Sequence, residues 1–209
     1  MTESFANLVF PVIRRLVDFR ARVEAGENPP LEAERAAILA DLDEADGKSR
    51  SSTQLAHDFA LARCALVYWI DEVMLTSRWA HAGEWKERIL EFEIYGKWEG
   101  GELFYEKAHE AERLAGTDPL EVFFLCAALG FQGRYAFDHP AYLAWVDRVY
   151  QRIAAGSPFP DRFLPDDAVP REPLAPLPGQ SILLAVSILV SATVLATLAG
   201  LIVAVHTSL

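Results

Sequence analysis

Asp71 and Glu72 are the residues of this chain best placed to do chemistry. They are adjacent carboxylates directly after an apolar run, CALVYWI, within one helical stretch. Two carboxylates serve as general acid and base when both face one substrate. Consecutive residues of an α-helix point about 100° apart, so these two do not face each other. At least one must flank the buried stripe of Trp69, Ile70 and Val73, where a charge has to meet a donor or reach water. A capping or solvated carboxylate is the simpler reading of each. A second cluster is LGFQGRYAF, Leu129 to Phe137. Gly130 suits a helix C-cap, Gly133 suits a turn, and Arg134 offers a planar fork to a carboxylate. Pairing of Arg134 with Asp71 or Glu72 would account for both clusters. The plainer alternative is a helix-to-helix corner with Phe131 and Tyr135 tucked inside.

Other reactive arrangements do not assemble. His57, His81, His109, His139 and His206 form no HExxH; His109 begins HEAER, which lacks the second zinc-ligating histidine. The serines of KSRSS lack a nucleophile-elbow context. Cys64 lies in an apolar helix, where a thiol behaves as a small hydrophobe. Gly100 and Gly101, in WEGGELF, open neither a phosphate-binding loop nor a dinucleotide fingerprint. The sequence predicts no catalytic residue, no metal and no cofactor. A membrane-tethered enzyme using Asp71 or Glu72 is the competing class.

The elements that must position these residues are helical. Phe5, Leu8, Val9, Val12, Ile13, Leu16 and Val17 recur as one helix face, and Asn28, Pro29 and Pro30 break it. Further helices are predicted over Leu31–Ala45, about Leu55–Val73, Trp85–Tyr95, Leu103–Ala115, the LEVFFLCAAL segment ending at Gly130, and about Pro140–Ala154. Lys48 to Ser52 reads as a loop. Thr117 or Asp118 can cap the sixth helix, with Pro119 in its first turn. No period-2 run bounded by turn residues suggests a strand.

Composition bounds the function. The 209 residues carry 19 basic and 30 acidic side chains, a net charge of −11. Such a surface does not suit a non-specific nucleic-acid binder, which must replace phosphate counterions. Cys64 and Cys126 are too few and too far apart for a disulfide scaffold. No charged residue follows Glu172, so all the charge belongs to the earlier part of the chain. We expect a domain over residues 1–156, a proline-rich linker over 157–181, a transmembrane helix over 182–205 and a short periplasmic tail over 206–209. The span reads ILLAVSILVSATVLATLAGLIVAV, 24 residues without a charge. As a helix it is roughly 36 Å long, enough to cross a hydrocarbon core of about 30 Å. The N-terminus has no signal-peptide pattern. Arg162 and Arg171 precede the span and no Lys or Arg follows it, which adds a little in favour of a cytoplasmic domain.

Three segments together resemble the DotU family, also called TssL, ImpK or IcmH: DEVMLTSRWAHAGEW (Asp71 to Trp85), GGELFY (Gly100 to Tyr105) and LEVFFLCAALGFQGRYA (Leu120 to Ala136). Their order, ahead of one C-terminal apolar span, is more specific than any one of them. The family's members are inner-membrane components of bacterial type VI and type IVB secretion systems. The resemblance implies an all-α cytoplasmic domain of about seven helices in two small bundles, without enzymatic activity. It implies binding to a TssM/IcmF-like inner-membrane protein and a TssJ-like lipoprotein, and contact with TssK-like and TssE-like baseplate proteins. The acidic pair matching Asp71 and Glu72 is associated with a partner-binding cleft between the bundles. Trp79, Trp85, Gly101, Phe104, Gly130, Phe131, Gly133, Arg134 and Tyr135 match the family pattern and read mostly as structural. Some relatives continue into a periplasmic peptidoglycan-binding domain. Here four residues follow the span, so cell-wall anchoring is expected from another protein.

The predicted span has a pattern of its own. Ala192, Ala196, Gly200 and Ala204 recur every four residues and give one small-residue face, which lets helices approach closely in lipid. This face is expected to pack on a second copy or on a partner's membrane helix. Replacing Ala196 and Gly200 with leucine or isoleucine should weaken association in a membrane two-hybrid assay; unchanged association would remove the assignment.

Overall fold

The computed structural model describes residues 1–156. These fold into α1 (Glu3–Glu24), α2 (Leu31–Ser49), α3 (Thr53–Thr76), α4 (Ala82–Lys86), α5 (Leu90–Tyr95), α6 (Gly100–Glu112), α7 (Asp118–Ala128), a 3₁₀ turn (Gly133–Tyr135) and α8 (His139–Gly156). There is no strand among the described residues. The all-helical expectation therefore holds over this part of the chain.

The apolar spacing explains the packing. Phe5, Leu8, Val9, Val12, Ile13, Leu16, Phe19 and Val23 of α1 are buried. Val17, expected on that face, is instead 42 % exposed, because at about 100° per residue it falls outside the stripe that Leu16, Phe19 and Val23 continue. Helix α3 is buried on nearly all sides through its second half, from Ala65 to Asp71 without a break. The Ser52 side chain starts it, accepting the Leu55 backbone N–H at 3.1 Å. Helices α1 and α2 pack on α3 and on each other; α6 and α7 pack on α3 from the other group, with α8 on α7. The two groups share α3 and a single continuous core.

Three local expectations are corrected. The helix expected over Trp85–Tyr95 is two short helices, α4 and α5, broken at Glu87–Ile89. The break frees the N–H groups of Leu90 and Glu91, both of which bond to Asp71. Gly100 and Gly101 begin α6 rather than interrupting the chain. A Cβ on Gly100 would lie 2.7 Å from Glu91 Oε2 and 2.8 Å from Tyr68 Cδ1, so any larger residue must displace the Glu91 and Tyr68 side chains. The segment expected as a loop at Lys48 is the end of α2, which runs to Ser49.

The end of α7 follows the sequence closely. Gly130 has φ +110°, its N–H donates to Ala127 O at 2.8 Å, and the Phe131 N–H donates to Cys126 O at 3.0 Å. These two bonds are the paired closure of a glycine-terminated helix. Thr117 precedes α7 but makes no capping bond; its hydroxyl donates to Glu121 at 2.8 Å. Helix α8 is attached more lightly than the others. It buries only Trp145 and Val149, and is tied by Tyr142 Oη to Ala127 O at 2.7 Å, by Arg152 Nη2 to Leu114 O at 3.1 Å and by an ion pair from Arg148 to Glu112 at 3.1 Å.

No helix of the described residues is long and apolar enough to cross a membrane. The expected linker, transmembrane helix and tail, with Ala192, Ala196, Gly200 and Ala204, lie outside the described residues.

Candidate functional site

The two adjacent carboxylates leave α3 in different directions, and each is taken up by backbone. Asp71 is 4 % exposed. Its Oδ1 accepts the Trp85 indole N–H at 2.8 Å and the Leu90 N–H at 3.0 Å; its Oδ2 accepts the Glu91 N–H at 2.7 Å. Asp71 thus caps the N-terminus of α5 from a neighbouring helix, satisfying donors that α5 cannot satisfy itself. Glu72 is half-buried and turns the other way. Its two carboxylate oxygens accept the Gln132 N–H at 2.8 Å and the Gly133 N–H at 3.2 Å.

A third carboxylate continues the scheme. Glu91, buried on α5, accepts the Glu99 N–H at 2.6 Å and so holds the start of α6. The first turn of α6 then meets the 3₁₀ turn at Gly101 and Gly133. Gly133 has φ +48°, and a Cβ there would fall 2.8 Å from Gly101 O and 2.9 Å from Phe131 Cε1. Asp71, Glu91 and Glu72 together fix three chain segments around the end of α3.

Burial pushes all three carboxyls up from their ordinary values. For Asp71 the bonds from Glu91, Leu90 and Trp85, with the Arg35 charge, pull in the opposite direction. For Glu72 the bonds from Gln132 and Gly133 do so. For Glu91 the Asp71 charge adds to burial, while the bond from Glu99 opposes it.

Between these segments lies a groove of about 440 Å³, lined on one wall by Asp71, Glu91 and Glu99, on the other by Phe131, Gly133 and Arg134. Glu102 and the 62 %-exposed Trp98 stand at the same groove. Arg134 does not reach Asp71 or Glu72, which corrects the pairing considered from sequence. Its Nη1 donates to Glu102 at 3.3 Å, and its guanidinium lies 4.9 Å from the ring centres of both Tyr105 and Tyr135. The backbone N–H groups of Gln132 and Gly133 take the place that Arg134 was expected to fill.

The remaining motif residues are mostly structural. Trp79 is buried, donates its indole N–H to Pro29 O at 2.9 Å and packs edge-on against Phe19. It thereby fixes the proline break after α1. Trp85 binds Asp71 on one edge and carries the Arg35 guanidinium 5.0 Å above its ring. Phe104 stacks on Phe131 with ring centres 4.0 Å apart, and Tyr135 meets Tyr105 edge-on at 4.5 Å.

Sequence reasoning missed Glu91, Arg35 and Trp98. Arg35 is buried, donates to Arg88 O at 2.6 Å and pairs with Glu93. Its only sequence cue is its place in the charge-rich α2, where charges read as solvated. Glu91 and Glu93 fell within a helix drawn too long.

This helical fold is similar to that of a solved structure, the cytoplasmic domain of TssL from Acinetobacter baumannii. That structure matches with a TM-score of 0.65 at 22 % identity, over 73 % of this chain and 98 % of the other, which shows the fold. Among curated proteins no sequence matches significantly. The family model "Type VI secretion system protein DotU" matches residues 4–207, and the chain belongs to that family.

Truncating Asp71 to alanine strands three buried donors, so the full-length chain should lose at least about 3 kcal/mol in thermal or denaturant unfolding; a loss under about 1 kcal/mol would show that the three bonds do not organise the fold. Glu72 gives a pH test. A carboxyl whose pKa is higher folded than unfolded binds its proton longer in the fold, so it favours folding at low pH and loses that contribution as pH rises through the folded value. Glu72→Gln lacks this dependence. The stability advantage of wild type over Glu72→Gln should therefore shrink as pH rises from about 4 to about 7, read as the difference in Tm. A constant difference would show no raised carboxyl at this position.

Proposed function

We propose that this chain is a non-enzymatic, membrane-anchored adaptor of a type VI secretion membrane complex, and that the groove beside Asp71 and Glu72 receives a cytoplasmic baseplate subunit. The observation that carries the reading is the use of the carboxylates. Both are committed to backbone N–H groups of the segments that wall the groove. They shape a surface more than they present reactive oxygens. A general base needs an accessible lone pair aimed at a substrate proton, and Asp71 has both oxygens engaged and 4 % exposure.

The rest of the groove suits protein recognition. Trp98 is a large aromatic standing in solvent, and Glu99 and Glu102 accompany it at the rim. Exposed tryptophan beside charge is typical of the few residues that carry binding energy in an interface. The acidic surroundings favour a basic face on the partner, with charge setting encounter rate and register. A TssK-like or TssE-like protein is the proposed occupant. A TssM/IcmF-like protein and a TssJ-like lipoprotein would share the membrane complex, the former meeting the apolar C-terminal stretch, where a homodimer contact is also proposed. On this reading the described domain lies on the cytoplasmic face of the inner membrane.

The test is detergent co-purification of the tagged full-length chain from native membranes, with mass spectrometry of its companions. The adaptor reading expects an IcmF-like membrane protein and baseplate subunits. Because Asp71 and Glu72 hold the groove walls, an Asp71→Ala, Glu72→Ala double variant should lose the cytoplasmic companions and keep the membrane one. Trp98→Ala should do the same without a change in Tm. Capture of the baseplate subunits should weaken as salt rises. Absence of these companions while the system is expressed would overturn the adaptor reading.

A further inference from the structure

Glu72 separates the groove just described from a second, more enclosed cavity of about 400 Å³ on its other side. This one lies between the end of α1, the end of α3 and the corner after α7. Its charged lining residues are Arg20, Glu24, Glu72 and Arg78. Hydrogen-bonding capacity in it is unevenly spent. Glu72 already accepts two backbone N–H groups from the far wall. The hydroxyls of Thr76 and Ser77 donate to Glu72 O and Met74 O, at 2.6 and 3.4 Å.

The donors are in surplus. Arg20 uses only Nη1, on Leu129 O at 2.7 Å, and forms no ion pair among the described residues. Arg78 is exposed and has neither a hydrogen bond nor an ion pair among the described residues. Trp69, a lining residue of the cavity, is 0 % exposed, and its indole N–H has no acceptor among the described residues. Trp79 and Trp85, also buried, each donate to an oxygen. An orphaned buried donor is costly, and a native structure keeps few of them. Against these donors stands one uncommitted carboxylate, Glu24, which is exposed to water. On a chain of net charge −11, two unpaired guanidinium groups converging on one cavity are an exception to the surface.

We propose that this cavity receives the side-chain carboxylate of an acidic residue presented by a partner protein, held by Arg20 and Arg78. The apolar part of the wall, Val23, Val73 and Leu129, takes a hydrophobic neighbour of that residue. A planar guanidinium and a carboxylate form paired, charge-assisted bonds, and the partial enclosure strengthens them. The occupant supplies acceptors where the empty cavity has donors in excess. The domain then carries two adjoining recognition surfaces of opposite preference, separated by the Glu72 carboxylate: the groove for basic residues and this cavity for an acidic one.

The experiment is a nuclear magnetic resonance titration of the ¹⁵N-labelled full-length chain in detergent micelles, following tryptophan indole and arginine Nε–H signals. The probe is acetyl-Leu-Glu-Leu-amide. Its controls are the glutamine counterpart and acetyl-Leu-Leu, whose carboxylate is a chain terminus. The signals of Trp69, Arg20 and Arg78 should shift saturably with the glutamate peptide, and at least tenfold more weakly with the glutamine peptide. Arg78→Gln, at an exposed position without partners, should keep its Tm and weaken binding at least tenfold. Equal response to the glutamine peptide, preference for the chain-terminal carboxylate, or unchanged binding by Arg78→Gln would each overturn the proposal.

Discussion

The carboxylate of Asp71 is the constraint on which the site depends. It is buried at the end of the most buried helix and takes three N–H groups from the Trp85–Glu91 segment, which Arg35 holds from the other side. Burying a charge is tolerable only where donors surround it. Here the donors are an indole and the first turn of a six-residue helix, α5, too short to be stable alone. The carboxylate and the helix make each other possible. From α5 the order passes through Glu91 to the start of α6, and through Gly101 to the 3₁₀ turn that Glu72 holds from the other side.

Much of this was legible in the sequence. The helical class, the buried face of α1, the closure of α7 at Gly130 and the identity of Asp71 and Glu72 as carboxylates at the edge of an apolar stripe all follow from spacing and residue type. The divergence of the two side chains also follows, since adjacent helix positions point apart. The partners did not follow. Asp71 and Glu72 bind backbone N–H groups, and a backbone donor leaves no residue-specific mark. Arg134 drew attention because its side chain is specific, yet the unremarkable amides of Gln132 and Gly133 hold Glu72. The break between α4 and α5 was hidden for the same reason: EWKERILEFEIY has no proline or glycine, and what caps the start of α5 is a carboxylate far upstream, Asp71.

Glycine carries another part of the design. Gly101 and Gly133 let two backbones touch, and Gly100 lets α6 begin against Tyr68 and Glu91. In the sequence WEGGELF reads as an interruption, because two glycines lower helix propensity. The close approach outweighs that cost. The aromatic residues between the glycine motifs then fill the space behind them, with Phe104 on Phe131 and Tyr105 on Tyr135.

The light attachment of α8 has a mechanical meaning. This helix leads into the proline-rich segment and is held by two buried side chains, two hydrogen bonds near its start and end, and an Arg148–Glu112 ion pair. The other long helices each contribute more residues to the common core. Tension drawn through the C-terminal segment would reach α8 before anything else and would peel it from α7 one turn at a time, with Arg152 released before Val149 and Trp145. The carboxylate-held segments around α3 lie upstream of that path. A pull strong enough to strip α8 would leave the groove walls standing, so the fold separates the part that bears load from the part that recognises.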